Sequence, residues 1–293
     1  MRLEVLKTYK IYIGGKFPRT ESGRYYIAEN KKGDKLANVC LGSRKDFRDA
    51  VGAARTAFSD WASRAAFNRG QILYRIAEML EGRKGQFIEE LIKQDSSRVQ
   101  AEKEVELSIE RLIYYAGWCD KYQQVFSSVN PVASSHFNFS TPEPTGVVSI
   151  IAPQDSSLLG LVSVIAPIIV GGNTCVVLAS SAKPLCAVTF AEVLHSSDVP
   201  GGVVNIITGK VPELLNWFSN HMDVNAIVYC ANDKESIQKI QQNATLNMKR
   251  VLLWNHQQWP QLSSQSPYLI CEAQEIKTTW HPIENIGGAK SGY

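Results

Sequence analysis

Three places in this sequence set polar or nucleophilic side chains just past a short apolar run. Pro153, Gln154 and Asp155 follow Val147–Ile151, Ser180 and Ser181 follow the run that ends at Leu178, and Cys230 and Asn232 follow Ala226–Tyr229. A carboxylate can move protons, neighbouring hydroxyls can donate to a phosphate, and a thiolate can attack a carbonyl. Each group also has a plainer use. His256 would have to approach Asp155 to complete an acid–base pair, and the sequence fixes no distance between them. Ser180 and Ser181 stand where they can cap the next helix. Cys175 and Cys186 fall in core segments, where burial without a cationic neighbour raises a thiol's pKa. Cys230 is the thiol placed nearest a candidate cleft. The five histidines are scattered and the six cysteines form no CxxC pair, which argues against zinc.

These positions become strand ends if the central stretch is a β-α-β unit. Val147–Ile151 and Thr174–Leu178 are short, β-branched and apolar, and read as buried parallel strands. Ser157–Val170 between them reads as a helix, capped by Ser156 or Asp155 and ended by Gly171-Gly172-Asn173. Ligands of such sheets gather beyond the carboxyl ends of the strands. Helices are expected at Pro184–His195, Val211–Phe218 and Lys234–Leu246, and strands at Val203–Ile207, Ala226–Tyr229 and Arg250–Leu253. That alternation predicts a doubly wound α/β sheet.

Upstream, Ile11–Pro18 reads as a hairpin turning at Gly14-Gly15, followed by strands at Tyr25–Ala28 and Leu36–Leu41. Ser43 can cap a helix bearing Phe47, Val51, Ala54 and Phe58 on one face. Helices at Asn68–Leu80, Phe87–Ile92 and Val99–Trp118 follow, then a two-sided hairpin at Val125–Ser140. Asn255–Pro267 lacks a period and reads as a linker, Glu275–Trp280 as a strand, and residues 284–293 as a mobile tail.

Composition narrows the classes. At 293 residues and 44% apolar, the chain can bury one large core or two smaller ones. A net charge of +3 gives no electrostatic case for nucleic acid or an anionic membrane. Ser157–Val170 is too short for a membrane span, the N-terminus lacks a signal-peptide core, and the unpaired cysteines suit a reducing cytoplasm.

The order of several stretches then points to a family. IYIGGKF, DFRDAVGAARTAFSDWA, RGQILYRIAEMLEGR, YYAGWCDKY, PEPTGVVSIIAP, APIIVGGNTCVVL and DVPGGVVNIITG resemble, in order, segments of the aldehyde dehydrogenases. EIKTTWHPI is similar to that family's last oligomerisation strand. More narrowly, the chain resembles short stand-alone bacterial members and the truncated second unit of the two-unit family 16.

Its departures from the pattern are chemical. Where the family has Pro-Trp-Asn, whose amide holds an oxyanion, this chain has Pro153-Gln154-Asp155, and an ionised Asp155 would repel one. The ribose-binding Lys-Pro-Ser-Glu corresponds to Leu178-Ala179-Ser180-Ser181. The phosphate-binding Phe-Thr-Gly-Ser-Thr turn becomes Tyr229-Cys230-Ala231-Asn232-Asp233, without its glycine and with a like charge. The segment carrying the general base reads Leu253-Trp254-Asn255-His256-Gln257. The Gly-Gln-x-Cys nucleophile does not occur, and residues 254–274 replace a whole catalytic domain.

The resemblance therefore implies a Rossmann-like cofactor-binding domain over residues 1–124 and 141–258. An oligomerisation hairpin and strand over 125–140 and 268–283 would accompany it, with no catalytic domain. Pro153, Gln154, Asp155, Leu178, Ser180, Ser181 and Asn232 would line a degenerate cleft, with NAD or NADP binding weakly or not at all. The expected role is a non-catalytic assembly or regulatory subunit, self-associating or paired with a full-length aldehyde dehydrogenase. The alternatives are an oxidoreductase component active only in a complex, and a small-molecule binder. Glu275–Trp280 is expected to pair with the hairpin of another subunit, with Trp280 as anchor.

Overall fold

Alternation along the central strands sends side chains to two different cores. The computed structural model describes residues 5–255 and 257–283. Strands β6 (Val147–Ile151), β7 (Thr174–Leu178), β8 (Val204–Ile207), β9 (Ala226–Tyr229) and β10 (Arg250–Leu253) form one parallel sheet in the order β10-β9-β6-β7-β8. Val148 and Ile150 of β6 face one core, and Val147 and Ile151 the other. The first core is filled by α2 (Ala66–Gly82), α3 (Lys84–Lys93), α4 (Arg98–Trp118), α6 (Leu159–Val170) and α7 (Leu185–His195). The second takes α1 (Arg44–Ser63), α8 (Val211–Asn220) and α9 (Lys234–Ala244). This is the doubly wound α/β sheet expected from the sequence, covered on both faces as parallel sheets are.

Capping sets several helix starts. Ser43 and Asp46 form a reciprocal capping box on α1, and Ser97 and Gln100 form one on α4. Phe47, Val51 and Ala54 are buried as their spacing predicts, whereas Phe58 is half-buried. Every residue of α6 is buried, so its C-terminal carbonyls cannot reach water. Trp61 Nε1 donates to Ile169 O (3.0 Å) and Arg69 Nε to Val170 O (3.1 Å), which satisfies two of them.

The N-terminal strands β1 (Thr8–Tyr9), β2 (Tyr25–Glu29) and β3 (Lys35–Cys40) make a small sheet of order β1-β3-β2. The turn at Gly14-Gly15 forms as expected, with φ of 58° and 78°, which only glycine adopts freely. Beside it, Tyr12 and Ile206 exchange two backbone bonds of 2.8 Å, so this segment covers the free edge of β8.

After the short helix α5 (Tyr122–Phe126), the hairpin strands β4 (Ser128–Asn130) and β5 (His136–Pro144) appear, and β5 runs four residues beyond Ser140. A short helix, α10 (Tyr268–Glu272), precedes β11 (Gln274–Pro282). Here the structure corrects the expected pairing. β11 lies antiparallel against β5 of its own chain, in continuous register from Gln274↔Pro144 to Pro282↔His136. The reason is geometric: α10 and its turn return the chain to the hairpin, so the inner edge of β11 is satisfied in cis and its outer edge alone is left. The expected tail at 284–293 lies outside the described residues.

Residues 257–267, within the expected linker, are not a free linker either. Trp259 and Ser264 are buried, and the guanidinium of Arg111 on α4 grips the segment. It donates to Trp259 O (2.9 Å), Ser264 O (3.0 Å) and Gln265 Oε1 (3.2 Å), and also to Ser163 Oγ on α6 (2.8 Å). Trp254 Nε1 donates to Glu272 Oε2 (2.6 Å), tying the end of β10 to α10.

Candidate functional site

At the carboxyl ends of β6 and β7 the polar groups are spent on one another. Gln154 reaches across from the β6 loop. Its Oε1 accepts from Ser181 N (2.9 Å) and Ser181 Oγ (3.1 Å), and its Nε2 donates to Ala152 O (2.9 Å). Ser180 Oγ donates to Gln154 O (2.8 Å) and accepts from Lys183 N (3.0 Å). Lys183 Nζ donates to Asp155 O (2.7 Å). The two strand-end loops are thus laced together, and five of the expected residues, Pro153, Gln154, Asp155, Ser180 and Ser181, do converge. Leu178 does not join them: it is fully buried in β7. Asn232 sits on the β9–α9 loop, where its Oδ1 accepts from Asn255 Nδ2 (3.3 Å).

The expected caps are replaced. Neither serine caps α7, whose Leu185 N–H donates to Gln94 Oε1 (3.1 Å) on the α3 terminus. At α6, Ser156 Oγ accepts from Gly160 N (2.8 Å), as foreseen, but Asp155 takes no part. The main acceptor is Glu104 of α4. Its Oε1 accepts from Leu158 N (3.0 Å), Leu159 N (3.1 Å) and Ser156 Oγ (3.1 Å). A carboxylate from a distant helix therefore occupies the positive end of α6. At α9, Asp233 does the same locally, accepting from Glu235 N (3.3 Å) and Ser236 N (3.1 Å). Hydrogen bonding from the Ser236 side chain, then from the Ser236 and Glu235 N–H groups, holds its carboxyl below the usual range.

A cleft of about 640 Å³ lies over Glu104, bounded by Lys103, Asp155, Lys183 and Trp259. Sequence reasoning missed Glu104, Gln94 and Arg111. Arg111 had a visible signal, because Ser108, Arg111, Leu112 and Tyr115 share the inward stripe of α4 and a charge there must find partners.

No thiol here is activated. Cys175 and Cys186 are fully buried, and burial pushes both thiols up. Burial, aided by the carboxylate of Asp155, also raises Cys230, and burial raises Cys271 to about 11. His256, considered above as an acid–base partner of Asp155, lies outside the described residues. Among the described residues no cluster of three or more His, Cys, Asp or Glu could hold a metal, and no helix is long and apolar enough to cross a membrane.

Below the cleft, the sheet, its helices and the β4–β5–β11 annex have relatives. The chain is 30% identical over 275 residues to the cytosolic 10-formyltetrahydrofolate dehydrogenase of Mus musculus, covering 92% of this chain and 30% of that protein. It is 28% identical over 273 residues to the mitochondrial benzaldehyde dehydrogenase of Antirrhinum majus, covering 91% of this chain and 49% of that one. The NAD+ complex of the Bacillus cereus aldehyde dehydrogenase superposes with a TM-score of 0.78 at 26% identity, over 84% of this chain and 50% of the enzyme. HpcC of Thermus thermophilus gives 0.80 at 25% identity, over 85% and 48%. The chain thus spans half or less of the length of these relatives. The aldehyde dehydrogenase family model matches residues 18–279, which hold the whole central sheet, and the chain belongs to that family.

Proposed function

We propose that this chain is a non-catalytic assembly subunit of the aldehyde dehydrogenase family, which associates with itself or with a full-length aldehyde dehydrogenase. The observation that carries the proposal is that the strand ends and the α9 terminus are satisfied from within the chain. A dinucleotide needs donors at the strand ends and at a helix N-terminus. In this chain Ser181 is bound to Gln154, the α9 N–H groups are bound to Asp233, and Leu178 is buried where a ribose ligand would have to reach out. The residues present do not fit NAD, and no chemical step is assigned through it. The raised thiols and the indole of Trp254, which cannot act as a base, support the same reading. What the chain offers instead is the β4–β5–β11 sheet, with Ile276 and Trp280 exposed.

The test is a steady-state assay of purified protein with NAD or NADP over several aldehydes, run beside native mass measurement alone and with a full-length aldehyde dehydrogenase. The proposal predicts no turnover and a mass above that of one chain. Turnover near about 1 per second that survives replacement of Cys230 would overturn it.

A further inference from the structure

The outer edge of β11 has no partner strand among the described residues, and one hydrogen bond tells where its backbone points. Ile283 N donates to Ser135 O (3.0 Å), one step beyond the Pro282↔His136 pair. Residues of an antiparallel pair exchange bonds at alternate positions. Glu275, Lys277, Thr279 and His281 therefore turn their backbone groups toward β5. Ile276, Thr278 and Trp280 aim theirs outward. This edge carries Glu275 and Lys277, each held by a partner in its own chain, but lacks the bulge, internal proline and short length that otherwise protect an unpaired strand. It runs nine residues, its register against β5 is unbroken, and its proline stands at the very end. By contrast, β4 at the other edge is three residues long.

We propose that β11 pairs antiparallel with β11 of a second copy, across a two-fold axis at Thr278, to make a six-stranded sheet. This names the partner surface of the assembly proposed above and rests on that reading. The register follows from self-complementarity together with the burial of Gln274 against Gly171, which keeps Thr278 from pairing there in a register centred on Ile276. Centred on Thr278, it sets Ile276 opposite Trp280 of the second copy on one face, twice by symmetry. On the other face it sets Glu275 opposite His281 and Lys277 opposite Thr279. All three outward pairs, Thr278 with itself and both Ile276–Trp280 pairs, can exchange two backbone bonds. Moving the axis to Lys277 would put that lysine opposite itself, and moving it to Thr279 would put Lys277 opposite His281. Like charges directly opposite are unfavourable, which excludes the first, and the second would also set Ile276 opposite Pro282, which has no N–H to give. Centring on Trp280 would set Thr278 opposite Pro282, which has no N–H to give. Within each chain, Glu275 is already held by Arg250 (2.9 Å) and Lys277 by Glu143, so the charged face is ordered before pairing.

The experiment measures the mass of the purified chain by sedimentation over a wide concentration range, for the parent, Thr278→Pro, Thr278→Ser and His281→Glu. Thr278→Pro removes an outward N–H and leaves the backbone bonds to β5 in place, although it also loses the hydroxyl contact with Ser140 Oγ (2.8 Å) that Thr278→Ser keeps. It should weaken self-association about tenfold or more, since two backbone bonds are lost per dimer. His281→Glu places an acid opposite Glu275 and should weaken it severalfold, and this test stands even if the proline variant folds poorly. Thr278→Ser should dimerise like the parent. A parent dimer unaffected by both the proline and the glutamate variants overturns the β11 edge and leaves the assembly reading intact. A parent that is monomeric alone overturns it as well. Mass gained on adding a full-length aldehyde dehydrogenase would then keep the assembly reading alive, and no gain would end both.

Discussion

Replacing Arg111 by methionine removes the grip on residues 257–267 while keeping the side-chain stem in the core. Arg111 is 1% exposed and donates to four acceptors, with no carboxylate among them. Ser163 Oγ and Gln265 Oε1 can turn to other partners. Trp259 O and Ser264 O cannot, and a buried acceptor left unsatisfied costs about 1–3 kcal/mol. Two of them total about 2–6 kcal/mol, reduced by the relief of a buried cation, whose desolvation already lowers the pKa of Arg111. A net loss of about 3 kcal/mol is expected for Arg111→Met. Arg111→Lys keeps the charge but not the planar fork that spans these acceptors, so it should recover less than half of that. Urea unfolding gives the stability, and hydrogen exchange over residues 257–267 gives the local effect. If Arg111→Met unfolds within about 0.5 kcal/mol of the parent and exchange in that segment is unchanged, the guanidinium does not hold the segment.

Two further outcomes follow from buried groups. Glu90 Oε1 accepts from Tyr9 OH (2.8 Å) and Thr189 Oγ1 (2.7 Å), its Oε2 has no partner, and burial holds its pKa above the usual range. A carboxyl raised on folding contributes stability below its unfolded pKa of about 4.3, and that contribution is lost as pH rises through the folded value. Glu90→Gln should therefore gain stability relative to the parent between mildly acidic and neutral pH, read as urea midpoints; parallel pH profiles would contradict this. With iodoacetamide at neutral pH the native chain should show no fast-reacting cysteine by mass spectrometry, because Cys40, Cys119, Cys175 and Cys186 are buried, Cys230 is raised by burial and Cys271 stands near 11. A single rapidly alkylated thiol would reopen nucleophilic chemistry.

Much of the fold was legible because it rests on short-range pattern. The two periods along Gly146–Leu253 place every strand of the central sheet, and the four-residue signature at Ser43 marks a helix start. What escaped rests on distant partners. Glu104 caps α6 and Gln94 serves α7, each from more than fifty residues away, and no local signal announces them. The segment after Trp254 looked structureless because its order comes from Arg111, not from its own periodicity. β11 was recognised as a strand but paired with the wrong copy, since composition reports an edge and not which edge it meets. At the site, the lost charges at Leu178 and Ser181 were readable, while the lacing of Ser181 to Gln154 needed coordinates.

The proposal that the strand ends have used their own polar groups and do not receive a nucleotide is tested most directly by calorimetric titration of the intact chain with NAD. Losing two charged hydrogen bonds to the ribose, about 1.5–3 kcal/mol each, predicts binding weakened by about 10²–10⁴-fold from that of a site retaining them, hence no saturable heat in the micromolar range. The same titration of Gln154→Ala, which frees Ser181, should regain little, because Leu178 stays buried and Asp233 still fills the α9 terminus. A low-micromolar dissociation constant for the parent chain would contradict the account.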